Sequence, residues 1–571
     1  MHKVRACSSL VCAGLLCLAL LQPQPAAAAW PSDPLVNVPI CTAASTQDYP
    51  VIVSDGAGGA IIAWHDYRRG GSDADIYAQR VSATGTVEWT VDGVALCTAT
   101  GRQELPAIAS DGAGGAIVAW RDLRNGATND IYAQRISVDG TVQWTPDGVA
   151  LCTAADEQAH PTIVSDGAGG AIVTWHDRRS GDFDIYAQRI SAGGSVQWAA
   201  NGVPLCTAVG DQAYPTIVPD GANGAVIAWY DYRGGPYSDI YVQRIAGGGT
   251  VQWTPNGVPL CVATGNQSDP AIASDGEGGA IVTWYDERSG TNSDIYAQRV
   301  SAAGAVQWTT DGVALCVATG RQYGAVTVAD GAGGAIVAWS DERGGGSNAD
   351  LYSQRISADG AVHWTANGVA LCTATGTQSS PTLVSDGAHG ALVTWSDLRS
   401  GNWDIYGQRI SATGTLQWAA NGVALCTATA DQKLSTIAAD GAGGAIITWS
   451  DNRSGNDDIY AQRVQANGQL GGDATDVPGG ISLAFALEPV RPNPSRGGGL
   501  TVQFTLVSAA AASLELLDVA GRRIAEREAG SLGAGHHSLE LGAGFRLAPG
   551  LYLVRLRQGT NSRVTRVAVL R

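Results

Sequence analysis

A tryptophan returns eight times along this chain, at Trp64, Trp120, Trp175, Trp229, Trp284, Trp339, Trp395 and Trp449, in steps of 56, 55, 54, 55, 55, 56 and 54 residues. Self-similarity at such a period restricts a chain to repeat architectures. One unit, residues 110–152, reads SDGAGGAIVAWRDLRNGATNDIYAQRISVDGTVQWTPDGVALC. Each unit supplies four strand candidates, lettered A to D. In the third unit strand A is residues 161–165, just before an Asp-Gly. The Asp-Gly-Ala-Gly-Gly segment carries turn chemistry, because glycine accepts positive φ. Strand B, residues 171–175, is apolar on both faces, as suits a strand covered on both sides. Strand C, residues 184–191, alternates, and strand D, residues 196–206, carries a kink at Asn201-Gly202. Four short strands per unit predict the blades of a β-propeller. Gly-rich turns and the lack of a 3.6-residue period exclude a helical solenoid, and a parallel β-helix uses shorter repeats.

The count of units bears on closure. A second repeat tryptophan occurs at Trp89, Trp144, Trp198, Trp253, Trp308, Trp364 and Trp418, seven times rather than eight. Residues 30–41 read WPSDPLVNVPIC, a strand D with no A, B or C before it. They are expected to complete the last blade and close the ring, with a Trp-to-Cys gap of 11 residues against 8 elsewhere. The predicted fold is therefore all-β: an eight-bladed propeller over residues 30–470, closed by an N-terminal strand, then a Gly-rich linker (471–484) and a small sandwich (485–571). Residues 1–29 have the layout of a secretory signal peptide: Lys3 and Arg5, an apolar run over 7–21, then Ala-rich sequence before Trp30. That run is too short to span a bilayer, and no other segment is long and apolar enough. Export to the extracellular space or outer cell surface, as a monomer, is the expectation.

Eight cysteines follow the signal segment, at Cys41, Cys97, Cys152, Cys206, Cys261, Cys316, Cys372 and Cys426, one per repeat. Equivalent positions on neighbouring blades lie farther apart than a disulfide allows. Their Val-x-Leu-Cys setting reads as that of a buried small hydrophobe. The formal charge is −17. An acidic body argues against nucleic acid, whose phosphates call for Lys and Arg.

Each unit holds Trp-x-Asp-x-Arg and then Asp-Ile-Tyr or a near match. The Asp/Arg/Asp sets run from Asp66, Arg68 and Asp75 to Asp451, Arg453 and Asp458. The Asp-to-Asp gap takes the values 9, 8, 7, 8, 8, 9, 7 and 7, so the B–C loop absorbs the variation in repeat length and is exposed. The spacing does not fit a calcium loop. These sets read as structural staples with no metal and no cofactor, calcium being the one ion the acidic loops would admit. The Asp-Gly turns resemble in part the Asp-box of sialidase-type propellers, with the order of residues changed. No Ser/His/Asp set or metal-spaced His cluster stands out, so no catalytic residue is assigned. A recurring glutamine, Gln47 to Gln432, reads as a fastener of the D–A loop. Two residues after it the chain varies: Tyr49, Leu105, His160, Tyr214, Asp269, Gly324, Ser380 and Leu434. The D–A and B–C loops share one face, which also carries Tyr67, Phe183, Tyr237 and Trp403. An aromatic-rich, varied rim suits recognition of sugars or peptides; drift in exposed loops produces variation as well. The candidate ligand-binding residues are Tyr49, Tyr67, His160, Phe183, Tyr214, Tyr237, Asp269 and Trp403.

The C-terminal part alternates strands with Gly-rich turns. Pro492-Asn493-Pro494, Asp518-Val-Ala-Gly-Arg522, Gly535-His536, Ala548-Pro549-Gly550-Leu-Tyr552 and the final Arg566-Val-Ala-Val-Leu-Arg571 resemble the C-terminal sorting domain of type IX secretion and the related immunoglobulin-like domain of flagellar hook-capping proteins. That resemblance implies delivery through a secretion machinery engaged by residues 485–571. Three functions stay open at this level: a non-enzymatic surface propeller that binds a glycan or protein, a sialidase-like glycoside hydrolase or lyase, and a structural surface-layer component.

Overall fold

A computed structural model describes residues 30–345, 348–471, 486–487, 490, 495–496, 500–506, 512–529, 535–541, 547–558 and 561–570. The signal segment and nearly all of the linker lie outside the described residues. The repeats form eight four-stranded antiparallel sheets. In the first blade strand A is Gln47–Ser54, B is Ala60–Asp66, C is Asp75–Val81 and D is Val94–Cys97. The A strands of successive blades lie against one another around the axis. The apolar run of strand B is buried, as its sequence requires: Ala171, Ile172, Val173 and Trp175 are all inaccessible. The core lies between blades. Ile172, Ile185 and Leu205 of the third blade, for instance, share a cluster with Ile217, Ile227 and Trp229 of the fourth.

Two boundaries differ from the sequence reading. Strand A starts at the recurring glutamine (Gln158–Ser165). Strand D is only Val203–Cys206, and Val196 makes a single bridge to Ile190. The residues between form a loop that throws Trp198 onto the next blade. There its indole N–H donates to the Gly247 carbonyl (3.1 Å), and its ring lies against Gly249. Gly202 ends this loop at φ +90°, where an added Cβ would sit 2.7 Å from the Trp175 ring; only glycine fits.

The last blade is made of Gln432–Ala439, Ala445–Asp451, Asp458–Val464 and the N-terminal strand Val38–Cys41. Cys41 pairs with Ile459 as Cys97 pairs with Ile76, so the seam keeps the register of the other blades. Trp30 takes the place of the missing eighth tryptophan: its indole donates to the Ala83 carbonyl (3.0 Å) and its ring rests on Gly85. Asn37 repairs the seam. Its side-chain oxygen accepts from Arg453 (2.8 Å), where other blades offer a backbone carbonyl such as that of Asp92 to Arg68.

The C-terminal residues form a three-stranded sheet (Ala486–Leu487, Leu500–Leu506, Gly535–Leu541) and a five-stranded one (Ser495–Arg496, Asn561–Leu570, Gly550–Gln558, Ala512–Asp518, Arg523–Glu528). Val502, Phe504, Leu514, Leu516, Val554 and Val567 form one core shared by the two sheets. The Asp518 carboxylate accepts from the amides of Ala520 and Arg522 and closes a turn at Gly521, while the Tyr552 hydroxyl donates to the Ala548 carbonyl. Pro492–Pro494 lie outside the described residues.

Closure by the N-terminal strand has a measurable consequence. Trp30, Ile40 and Cys41 are buried, and losing them removes roughly 5 kcal/mol or more of apolar burial. A chain starting at Thr42 should melt well below one starting at Trp30 in a calorimetric scan. Equal melting temperatures would show that the ring closes without this strand.

Candidate functional site

The repeated polar residues are consumed by the framework. In the first blade the Asp66 carboxylate is inaccessible and accepts from the Trp64 indole (2.8 Å), the Arg68 amide (2.8 Å) and the Arg68 guanidinium (2.9 and 2.6 Å). Arg68 also reaches Cys41 Sγ on the preceding blade (3.2 Å) and the Asp92 carbonyl (2.7 Å), and lies 3.7 Å above the centroid of the Tyr77 ring. Asp451 and Arg453 repeat the arrangement at the seam, with 2.8 and 2.6 Å contacts. The eight cysteines are free and buried. Burial pushes the Cys97 thiol up to about 12, so it stays protonated. On the other face the Asp55 carboxylate accepts from the Ala57 and Gly59 amides and from Arg80 (3.0 and 2.8 Å), which is the work of the Asp-Gly turn.

The third aspartate, as at Asp75 and Asp458, is buried and tied within its own B–C loop rather than to the Arg68-type arginine. Asp75 pairs with Arg69 (2.6 Å), and Asp458 accepts from the Ser454 hydroxyl (2.7 Å). The Arg68 fork is already filled by Asp66, and the variable B–C loop supplies whatever partner it has. Among the described residues no group of three His, Cys, Asp or Glu is placed to hold a metal ion.

The recurring glutamines are inaccessible. Gln158 donates from its side chain to the carbonyls of Ala154, Ala155 and Asp156, and its backbone N–H donates to the Asn129 carbonyl of the previous blade. Just beyond it the A–B register slips between Ala159 and Thr162. The residue in the slip has positive φ in every blade: Tyr49 +53°, Leu105 +51°, His160 +51°, Tyr214 +52°, Asp269 +49°, Gly324 +62°, Ser380 +54° and Leu434 +55°. The varied position is thus a bulge in the innermost strand, not a loop tip. All of these except Gly324 line a central cavity of about 930 Å³, within the range of ligand pockets.

The lining is unequal around the ring. Over the first four blades two groups of rings, with Glu104 and Arg121 of the second blade between them, form a belt. Tyr49 lies 5.0 Å from His65, which is edge-on to Tyr67 at 5.5 Å. The Tyr67 hydroxyl donates to Glu104 (2.9 Å), which also holds Arg121 (2.6 Å) and Arg102. Burial alone would raise the Glu104 carboxyl, but these three donors hold it below the usual carboxylate range. Further round, His160 meets His176 (4.9 Å) and Tyr214 (4.3 Å), Phe183 meets His176 (4.5 Å), and Tyr214 stacks on Tyr230 (5.4 Å). Burial, reinforced by His160, pushes His176 down to about 3, and burial lowers His160 and His65. All three imidazoles are neutral at physiological pH.

Five of the candidate residues, Tyr49, Tyr67, His160, Phe183 and Tyr214, therefore enter this belt, and Asp269 follows it on the channel wall. Tyr237 is 55% exposed on its B–C loop. The Trp403 carbonyl accepts from the Gln432 amide at a blade junction; no ring contact joins Trp403 or Tyr237 to the belt among the described residues. Sequence reasoning missed the penultimate residue of strand B, which reads His65, Arg121, His176, Tyr230, Tyr285, Ser340, Ser396 and Ser450 around the ring. It faces the strand-A residue before the bulge. Its change from rings and Arg on five blades to Ser on three was legible as a break in the repeat.

No protein-family model matches this chain, and no curated protein matches it. Solved structures do, β-propeller glycoside hydrolases and lyases among them. An ulvan lyase of polysaccharide lyase family 25 is 10% identical with a TM-score of 0.41, over 76% of this chain and 97% of its own. An α-L-arabinanase of Penicillium chrysogenum is 10% identical with a TM-score of 0.31, over 77% and 98%. A protein of unknown function from Dyadobacter fermentans DSM 18053 is 12% identical with a TM-score of 0.33, over 56% and 96%. Likenesses this distant carry nothing about substrate or chemistry.

The third aspartates give a pH test. Burial, with the Asp286 carboxylate nearby, pushes Asp294 from 3.8 up to about 6. The folded state holds that proton more tightly, so the group favours folding at acid pH and loses this as pH rises through about 6. Asp294→Asn mimics the neutral acid. It should melt above the parent at pH ~8, by on the order of 1–2 kcal/mol, and match it near pH ~4. A gain of the same size at both pH values would rule out charge burial as its source.

Proposed function

We propose that this is an exported recognition protein. Its propeller binds a carbohydrate chain at the aromatic wall of the central channel without turning it over, and its C-terminal sandwich, residues 485–571, serves delivery to the cell surface. One observation carries the reading: a position that varies between units is held by a strained bulge in the channel wall, and aromatic rings collect on one side of that wall. Tyr49 and Tyr214 are each 46% exposed. Half-exposed aromatic rings present apolar surface to the apolar faces of sugars, while serines on the far side offer hydroxyl partners. The amphipathic ligand and the amphipathic wall match.

The carboxylates support binding over hydrolysis. Glu104 is saturated by three donors, and Asp48 accepts from the Ser450 hydroxyl and the Tyr49 amide. Asp269 is left alone, whereas glycosidases of the usual kind work with a pair. The hydrolase or lyase alternative has one observation in its favour, the neutral His160 imidazole against the Tyr214 phenol at 4.3 Å.

The test is an affinity-electrophoresis and turnover screen of the chain from Trp30 to Arg571 on polysaccharides. Retardation without product is expected. Tyr214→Ala should weaken it at least tenfold in a variant that a thermal scan shows to be folded, and Tyr237→Ala should leave it as it was. Release of shortened or unsaturated products would transfer the site to the lyase or hydrolase reading, and no retardation by any polysaccharide would remove the recognition role.

A further inference from the structure

The channel wall carries one carboxylate that the framework does not use. Asp269 sits at the bulge of the fifth blade, at φ +49°, and lines the central cavity. Among the described residues no hydrogen bond or ion pair engages its side chain, in a propeller where the repeated Asp66- and Asp55-type carboxylates are each held by an arginine. It occupies the bulge position on the blade after that of Tyr214, which stacks on Tyr230 at 5.4 Å, and Tyr232 stands edge-on to Tyr230 at 5.7 Å. Tyr285 belongs to the same blade as Asp269. Burial raises the Tyr230 and Tyr285 hydroxyls, and the Asp269 carboxylate adds to both. Enclosure by the surrounding strands raises the Asp269 carboxyl itself, although the side chain is open to the channel.

We propose that the channel selects an amino sugar, a carbohydrate chain carrying a protonated primary amine, with its ammonium held between the Asp269 carboxylate and the Tyr214 ring, the two that line the cavity on neighbouring blades. A cation is attracted to the negative face of an aromatic ring, more strongly where water is excluded. A lone carboxylate in a confined wall lacks a counter-charge, and an ammonium supplies one together with hydrogen-bond donors. The histidines of the belt are neutral, and Arg121 is tied to Glu104, so no free cation of the belt competes for Asp269. A uronic acid chain would bring a second negative charge to the same place and is disfavoured.

This inference rests on the carbohydrate reading, and the experiment separates the two. The chain from Trp30 to Arg571 is titrated by calorimetry with three β-1,4-linked hexamers that differ only at carbon 2: glucosamine, N-acetylglucosamine and glucose. A lysine-rich peptide is the fourth probe. The glucosamine hexamer should bind at least tenfold more tightly than the other two, and Asp269→Asn should abolish that preference. Asparagine accepts positive φ readily, and a thermal scan checks that the variant is folded. Tyr214→Phe should keep the preference, while Tyr214→Ala should lose it. Equal binding of the three hexamers to parent and Asp269→Asn would overturn the ammonium site and leave the carbohydrate reading standing. Asp269-dependent binding of the peptide alone would overturn the amino sugar and place the failure in the carbohydrate reading. Binding of none of the four would overturn both.

Discussion

The propeller depends on a buried carboxylate repeated once per blade. An ionised group removed from water is tolerable only when its oxygens are fully engaged. Asp66 meets that condition with an indole N–H, a backbone N–H and a forked guanidinium. The guanidinium in turn needs a tyrosine face beneath it and acceptors beyond it, among them the cysteine of the preceding blade. Removing any one member strands another. The Trp, Asp, Arg, Tyr and Cys of each unit therefore stand or fall together, and the near-identity of the units follows from a shared polar network. A buried ion pair is weak evidence for net stability, but it is a strong constraint on which residues can sit around it. Variation is confined to places that this network does not reach.

One such place is the bulge after the glutamine. A residue at positive φ costs about 1–3 kcal/mol unless it is glycine, and seven of the eight blades place a non-glycine residue there. Leu105 and Ser380 accept the strain as Tyr214 does. The strain therefore belongs to the framework, fixed by the glutamine's grip on the D–A loop and the register slip that follows. It marks no function alone. What varies is the side chain that this backbone delivers to the channel, and that variation is lopsided: Tyr49, His160 and Tyr214 put three rings on the first four blades, whereas Asp269, Gly324, Ser380 and Leu434 put none on the last four.

The ring of blades and its closing strand were legible because the period is regular and residues 30–41 are a strand D out of place. The channel wall was not, because nothing in Tyr, Leu or His announces positive φ, and a proline three residues after the glutamine looked like the start of the strand. Tyr49, His160 and Tyr214 were placed on a rim for that reason. The meeting of His160 with His176 is not legible in the sequence because pairing across a sheet ignores separation along the chain. Ala159 is the partner of His176, which sets the neighbouring His160 against the His176 ring. The partner of Asp75 was not legible: the Arg68 fork is filled by Asp66, and Asp75 pairs instead with Arg69 of the variable loop.

The same accounting explains much of the acidity. Every unit carries three framework aspartates, of the Asp55, Asp66 and Asp75 kinds, against two framework arginines, of the Arg68 and Arg80 kinds, so each blade contributes −1 and the ring −8 to a formal total of −17. This part of the charge is a consequence of the fold and says nothing about a ligand. The negative surface that looked like a clue to cation binding is thus partly structural, and the site must be sought where a carboxylate lacks a framework role. Asp269 is such a group. Other blades carry leucine, tyrosine, histidine, serine or glycine at this position, where charge does nothing for the blade, and Asp269 stands on the blade after Tyr214.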